Sequence, residues 1–303
     1  MIQLEHSQEA AERLQRYVHK TPILASSSLN SLFGKQLTFK AEHLQKTGSF
    51  KVRGALNAAL QAYDTEGYVT YSTGNHGQAI AYAAKMLGKK AIIVMAIPTA
   101  QKVKAIKALG ADVYIDSVTA TNGEALAVQL AADTGYHLIS TFDDERVMAG
   151  QGTVALELLE QINQLDAVLM PVGGGSLISG AGMVIKSLRS DILVIGIEPE
   201  KANDAQQGYR TGKRVVFSEA PETIADGART IQVGERAFSY IQHYVDDIIA
   251  VPDSLIIEAQ TLLMERLKQL VEPTGALGLA AVLAGNPLPP RVGIVLTGGN
   301  WLP

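Results

Sequence analysis

The 303-residue sequence contains no cysteine, which removes disulfides, thiolate metal sites and cysteine nucleophiles together. It lacks any stretch approaching the roughly 20 apolar residues of a membrane span. It also lacks a strong charge of either sign. A formal charge of -4 and a pI near 5.9 give no bulk electrostatic case for nucleic acid or an anionic membrane. No internal repeat or low-complexity linker is visible. The first residues, MIQLEHSQEAAERLQ, have neither a basic leader nor an apolar h-region, so a secretion signal is not expected. They read as a helix capped by Ser7 with Glu9 in its first turn. A cytoplasmic enzyme fits these absences.

What is present is a soluble globular composition, 47% hydrophobic and 18% charged, long enough for one large domain or two medium ones. Apolar runs predict strands at Leu37–Glu42, Tyr68–Ser72, Ala91–Met95, Val113–Ile115, Ala167–Val172, Leu193–Glu198 and Val292–Leu296. Amphipathic stretches predict helices at Val52–Tyr63, Gln78–Leu87, Thr99–Leu109, Gly123–Thr134, Val147–Gln164, Leu177–Leu188, Ser254–Leu270 and Gly275–Leu283. Several predicted strands are continuously apolar, as parallel strands covered on both faces must be. The alternation makes the class α/β with mostly parallel sheets. Ligands of such folds collect where strand ends meet helix starts. Ser72–Gly77, Gly173–Ser176 and Thr297–Asn300 all lie at such junctions, which suggests one shared site.

Two of the candidate features stay ambiguous by themselves. Gly173-Gly174-Gly175-Ser176 lies between an apolar run and a helix, where converging backbone N–H groups suit a phosphate. It is equally readable as a tight turn with no ligand. Lys51, at a loop-to-helix junction, is either a solvated surface lysine or an amine kept neutral enough to form an imine with an aldehyde cofactor.

The surrounding residues add more. QKTGSFKVRGALNA resembles the cofactor-lysine segment of fold type II pyridoxal-phosphate enzymes, most closely the serine/threonine dehydratases and serine racemases. The similarity continues in order through HKTPILASSSLN at 19–30, STGNHGQAIAYAAK at 72–85, FDDERVMAGQGTVALELL at 142–159, PVGGGS at 171–176, IEPEKANDA at 197–205, TIADG at 223–227, EPTGALGLAAVL at 272–283 and LTGGN at 296–300. It implies two open, mostly parallel twisted-sheet α/β domains of the tryptophan synthase β type, with the cofactor in the cleft between them. The large domain would be 1–66 plus 140–303, and the small one, 67–139, would close over the substrate. It also implies a homodimer acting on a small amino acid.

The resemblance assigns roles to matching positions. Lys51 would carry pyridoxal phosphate as a Schiff base and take the α-proton, with Phe50 beside the cofactor. Asn75 would bond the phenolic oxygen, Gly173, Gly174, Gly175 and Ser176 the phosphate, and Thr297 the pyridine nitrogen. Ser176 stands where the family usually has glycine. Ser72, Thr73, Asn75 and His76 would surround the substrate carboxylate, although His76 could simply cap a backbone. Glu272 would lie near the cofactor. Glu198, Asp204 and the carbonyl of Ala202 match the divalent-cation site of metal-dependent members, an oxygen set suited to Mg2+ (or Ca2+ or Mn2+); a solvated acidic loop is the plainer alternative.

A hydroxyl at Thr297 cannot hold the ring protonated as an aspartate would, which favours β-elimination over transamination. The expected activity is dehydration and deamination of L-threonine, L-serine or a related 3-hydroxy amino acid to a 2-oxo acid and ammonia. Serine racemase or 3-hydroxyaspartate dehydratase activity is the alternative on the same scaffold. Racemisation needs a second catalytic acid/base on the cofactor face opposite Lys51; racemases place a serine where this chain has Thr73, which keeps a hydroxyl, but the added methyl restricts its rotamers. Asp116–Ile139 also lacks the arginine some relatives place near the substrate carboxylate. The chain stops soon after LTGGN, so no regulatory domain is expected. A non-enzymatic phosphate- or nucleotide-binding module would share the glycine turn but form no imine.

Overall fold

The computed structural model describes residues 1–72 and 74–301. The predicted apolar runs form its central strands. AVLMP at Ala167–Pro171 is buried throughout because the strand has neighbours on both edges and helices on both faces.

Ten strands build two sheets. The first six are β1 (Ile23–Ala25), β2 (Gln36–Lys40), β3 (Gly67–Tyr71), β4 (Lys90–Val94), β5 (Asp112–Tyr114) and β6 (His137–Leu138). They are followed by β7 (Ala167–Pro171), β8 (Leu193–Pro199), β9 (Asp247–Val251) and β10 (Arg291–Val295). A six-stranded sheet runs β1-β2-β10-β7-β8-β9, parallel except where β1 pairs antiparallel with β2. A four-stranded parallel sheet, β5-β4-β3-β6, is drawn wholly from Gly67–Leu138. The chain thus leaves the large sheet after β2 and returns to it at β7.

Helix Lys51–Gln61 packs against helix Asn75–Leu87 of the small sheet and helix Glu145–Gln161 of the large one. Leu56, Ala59, Ile80 and Val147 are fully buried along that seam. No described helix is long and apolar enough to cross a membrane.

Three local expectations change. Ser7 does not cap the first helix, which begins at Leu4 with Gln3 as its N-cap and His6 closing the reciprocal bond. Ser7 is instead buried within the helix, its hydroxyl against Gly152, where a small side chain lets two helices approach. The helix expected over Ser254–Leu270 runs from Asp253 only to Leu262. It then widens into a π-turn at Leu263–Leu267 and stops at Lys268, whose φ is +58°. The helix expected over Val147–Gln164 starts at Glu145, because Asp144 accepts from the Arg146 N–H and caps it, and ends at Gln161.

Candidate active site

One cavity opens between the two sheets. Its wall includes Lys51, Ser72, Asn75 and His76 from one side, Gly173–Ser176 from the other, and Glu272 and Thr297 at the floor. The three turns singled out in the sequence therefore meet. A direct bond joins two of them, since Asn300 Nδ2 donates to Asn75 Oδ1 at 2.9 Å.

Lys51 is the first residue of its helix, and the Phe50 N–H donates to the Thr297 carbonyl at 3.1 Å, fixing where the helix begins. The lysine Nζ lies 5.2 Å from the centroid of the Phe50 ring. Burial lowers the Lys51 pKa to about 8, against an opposing pull from Glu272. Near neutral pH a usable share of this amine is neutral. Glu272 is itself pushed up to about 7 by burial and by Asp226, while the Asn75 amide draws it down. The Asn75 amide donates to Glu272 Oε1 at 2.7 Å, so Glu272 and Asn300 fix the amide plane and leave one N–H of Nδ2 to offer.

Ser72 Oγ accepts from the N–H groups of Gly74 and Gly77, at 3.2 and 2.9 Å, and so shapes the turn into helix Asn75–Leu87. Its own proton remains available to a ligand. His76 is not a backbone cap. It is 2% exposed, and its ring nitrogens make no well-formed hydrogen bond, the Ile139 backbone offering only a weak one. Burial and the neighbouring Lys51 hold it neutral. Thr73 lies outside the described residues.

The Gly173–Gly175 turn has to be glycine. A Cβ on Gly173 would stand 2.7 Å from the Gly227 carbonyl, one on Gly174 would overlap the Phe142 ring, and Gly175 has φ +93°. Helix Ser176–Leu188 starts at its end and adds the positive end of its dipole. Across the floor, the Thr297 hydroxyl is buried without a partner.

Glu198 and Asp204 form a second, buried acidic pair. Both Glu198 oxygens accept backbone N–H groups, from Ala205 at 3.1 Å and Gln206 at 2.7 Å. Asp204 Oδ2 accepts from the Val233 N–H at 2.6 Å, while Oδ1 is buried and unpartnered. Burial pushes Asp204 up to about 7, and burial together with Asp204 holds Glu198 well above the usual carboxylate range. Ala202 is buried in the short turn between them. Among the described residues no group of three or more His, Cys, Asp or Glu could hold a metal, so any ion here would rest on two carboxylates and backbone oxygen.

The family model for pyridoxal-phosphate dependent enzymes matches residues 14–298. The chain belongs to that family. It is 43% identical over 298 residues to an L-threo-3-hydroxyaspartate ammonia-lyase of Saccharomyces cerevisiae, covering 96% of this chain and 91% of the other. To a serine racemase of Arabidopsis thaliana it is 43% identical over 304 residues, with 96% and 91% covered. The solved structure of a T.th. threonine deaminase superposes with a TM-score of 0.96 at 46% identity, covering 100% of both chains. The fold is accordingly the α/β fold type II of pyridoxal-phosphate enzymes.

The residues present suit that cofactor. A glycine loop that tolerates no side chain, a partly neutral buried lysine and a buried free hydroxyl are what its phosphate, aldehyde and ring nitrogen require. Sequence reasoning missed Lys102, Asp226 and Arg229, which also line the cavity. Asp226 sits within the TIADG motif, but nothing in that motif marks it as a wall residue. Lys102 lies in an ordinary-looking amphipathic helix.

Proposed function

We propose that this enzyme removes the side-chain hydroxyl of L-threonine, L-serine or a related 3-hydroxy amino acid by β-elimination, yielding a 2-oxo acid and ammonia. Bound pyridoxal phosphate supplies an electron sink for the negative charge left on Cα when its proton departs. Lys51 Nζ is the base that takes this proton, and its lowered pKa lets a neutral amine exist at working pH. The Ser72–His76 turn receives the α-carboxylate at the start of a helix, where N–H groups and the dipole favour an anion. Asn75 Nδ2 would donate to the phenolic oxygen, and the glycine loop with Ser176 would hold the phosphate. The water lost in elimination is regained when the released enamine tautomerises and hydrolyses, so one substrate gives one oxo acid and one ammonia.

The observation that carries the choice of elimination is the partnerless, buried hydroxyl of Thr297. A hydroxyl brings no negative charge to hold a proton on the ring nitrogen, so beside Thr297 the bound cofactor would be a weaker electron sink, a setting that favours loss of a β-leaving group over transamination. The relatives named as ammonia-lyase and deaminase support this reading, and the one named serine racemase supports the alternative. Incubation with L-serine, L-threonine and L-threo-3-hydroxyaspartate, following oxo acid and D-isomer with and without EDTA, separates them. Oxo acid in excess is expected; dominant D-serine would replace the reading with racemisation.

Further parts of the proposal rest on the resemblance and local chemistry. Glu198, Asp204 and the Ala202 carbonyl would hold Mg2+, Ca2+ or Mn2+, supported by the buried free Oδ1 of Asp204. Residues 67–139 would close as a unit over 1–66 plus 140–303. A cytoplasmic homodimer is the expected assembly, to be checked by sedimentation and fractionation.

A further inference from the structure

We propose that Arg229 is a specificity-determining residue whose guanidinium receives a second, distal acid group, so that the preferred 3-hydroxy amino acid is a dicarboxylic one. This deepens the proposed elimination and rests on it.

Arg229 lines the cavity and is not fully exposed, yet among the described residues its side chain has neither an ion pair nor a hydrogen bond. Every other arginine short of full exposure is engaged. Arg13 bonds Asn57, Arg53 bonds Glu42, Arg146 pairs with Asp144, Arg189 with Asp191 and Arg291 with Asp166. A guanidinium held in a cavity wall with no protein counter-charge leaves its planar fork of donors open to an anion entering the cavity.

The cavity's own acids do not supply it. Asp226, three residues earlier in the same turn, is taken by Lys102 from across the cleft. Glu272 accepts from Asn75. Glu124 comes from the small-sheet side, where burial and Asp143 raise its pKa and Arg214 draws it down. The other anions of the proposed reaction have places of their own, the phosphate at Gly173–Ser176 and the α-carboxylate at Ser72–His76. The charge on Arg229 is therefore surplus to what serine or threonine needs.

The turn that carries Arg229 is firmly built. Gly227 donates to Thr274 Oγ1 at 2.9 Å, and Thr223 Oγ1 donates to Asp253 at 2.6 Å. It also borders the substrate turn, because a Cβ on Gly74 would lie 3.2 Å from Lys102 Nζ, the partner of Asp226. A guanidinium presented from such a base suits a planar carboxylate.

The test compares wild type with Arg229→Met and Arg229→Lys as pyridoxal-phosphate-loaded enzymes. Steady-state kinetics on L-threo-3-hydroxyaspartate and L-serine are paired with calorimetric binding of succinate and propionate. The expected result is a wild-type preference for hydroxyaspartate that falls about tenfold or more in Arg229→Met, chiefly through KM. Succinate binding weakens by a similar factor, propionate binding changes far less, and Arg229→Lys recovers part of both. An unchanged substrate ratio with unchanged succinate affinity overturns the proposal. So does an equal loss on both substrates with weaker pyridoxal-phosphate binding, which would assign Arg229 to the cofactor phosphate. If the wild type eliminates neither substrate, the reaction is wrong, and the succinate arm still decides whether Arg229 binds a second carboxylate.

Discussion

Lys51 could not be distinguished from a surface lysine by its own position, and the structure supplies the reason it differs. Its amine faces a cavity and loses hydration, which lowers its pKa to about 8. Only the neutral amine attacks an aldehyde. Uptake of pyridoxal phosphate by the apoprotein should therefore accelerate as pH rises, with a midpoint near 8 and a plateau above it. An unperturbed lysine would keep gaining until about pH 10.4. Stopped-flow absorbance across this range distinguishes the two profiles. At Thr297, exchange for valine keeps the shape and removes the hydroxyl. Turnover on the best substrate should fall by about tenfold, the scale of one lost hydrogen bond of about 1–1.5 kcal/mol, while circular dichroism stays unchanged. These two residues were legible because their neighbours form recognisable runs. Arg229 and Lys102 were not, because their meaning depends on which groups the fold brings opposite them.

At the scale of elements, a buried polar cluster ties the lysine helix to the large sheet. Arg53 bonds both oxygens of Glu42 at 2.8 Å and both of Glu157, at 2.7 and 2.8 Å, while Lys40 bonds Glu157 at 2.6 Å. Burial alone would raise Glu42, but the charge and hydrogen bonds of Arg53 outweigh it and leave the carboxyl below its ordinary range. Arg53→Met strands the fully buried Glu42 and leaves Glu157 to Lys40 alone, and unfolding in urea should show a loss of about 3–5 kcal/mol. The proposed metal pair is linked in a similar way to the glycine turn proposed to hold the phosphate. Asp204 holds the Val233 N–H, and Val233 packs against Gly175. Added Mg2+ should raise the melting temperature of EDTA-treated protein, and Asp204→Asn should abolish that rise. No rise in the wild type would remove the metal from the account.

The elements themselves were unequally readable. Long apolar runs such as Ala167–Pro171 announced their strands. β1, a three-residue strand that directly follows Pro22, and β6, a two-residue one, are too short to show a period. Helix Asp204–Thr211 is polar on average and shows few apolar positions to mark a buried stripe. The early end after Leu262 reflects the π-turn and the positive φ of Lys268, which hydrophobic spacing does not encode.

For the whole molecule, the departure of the chain after β2 and its return at β7 create the cleft, and two sheets then share one cavity. Lys102 and Asp226 pair across that cleft, with side chains 17% and 35% exposed. If residues 67–139 close over substrate, this pair favours the closed form. Asp226→Asn should raise KM for L-serine a few-fold, as expected of a partly shielded pair worth about 1 kcal/mol, with a smaller effect on kcat. The sequence conveyed the alternation and the ordered motifs. The contact across the cleft depends on the path between β2 and β7, which no local pattern records.

The central claim is that Lys51 carries the cofactor in an eliminating enzyme. Its most direct test is borohydride reduction of the pyridoxal-phosphate-saturated protein, followed by peptide mass mapping. The account predicts a single pyridoxyl-labelled peptide, the one containing Lys51, with no label in Lys51→Ala. A label on another lysine, or a saturated protein that fixes none, would contradict it.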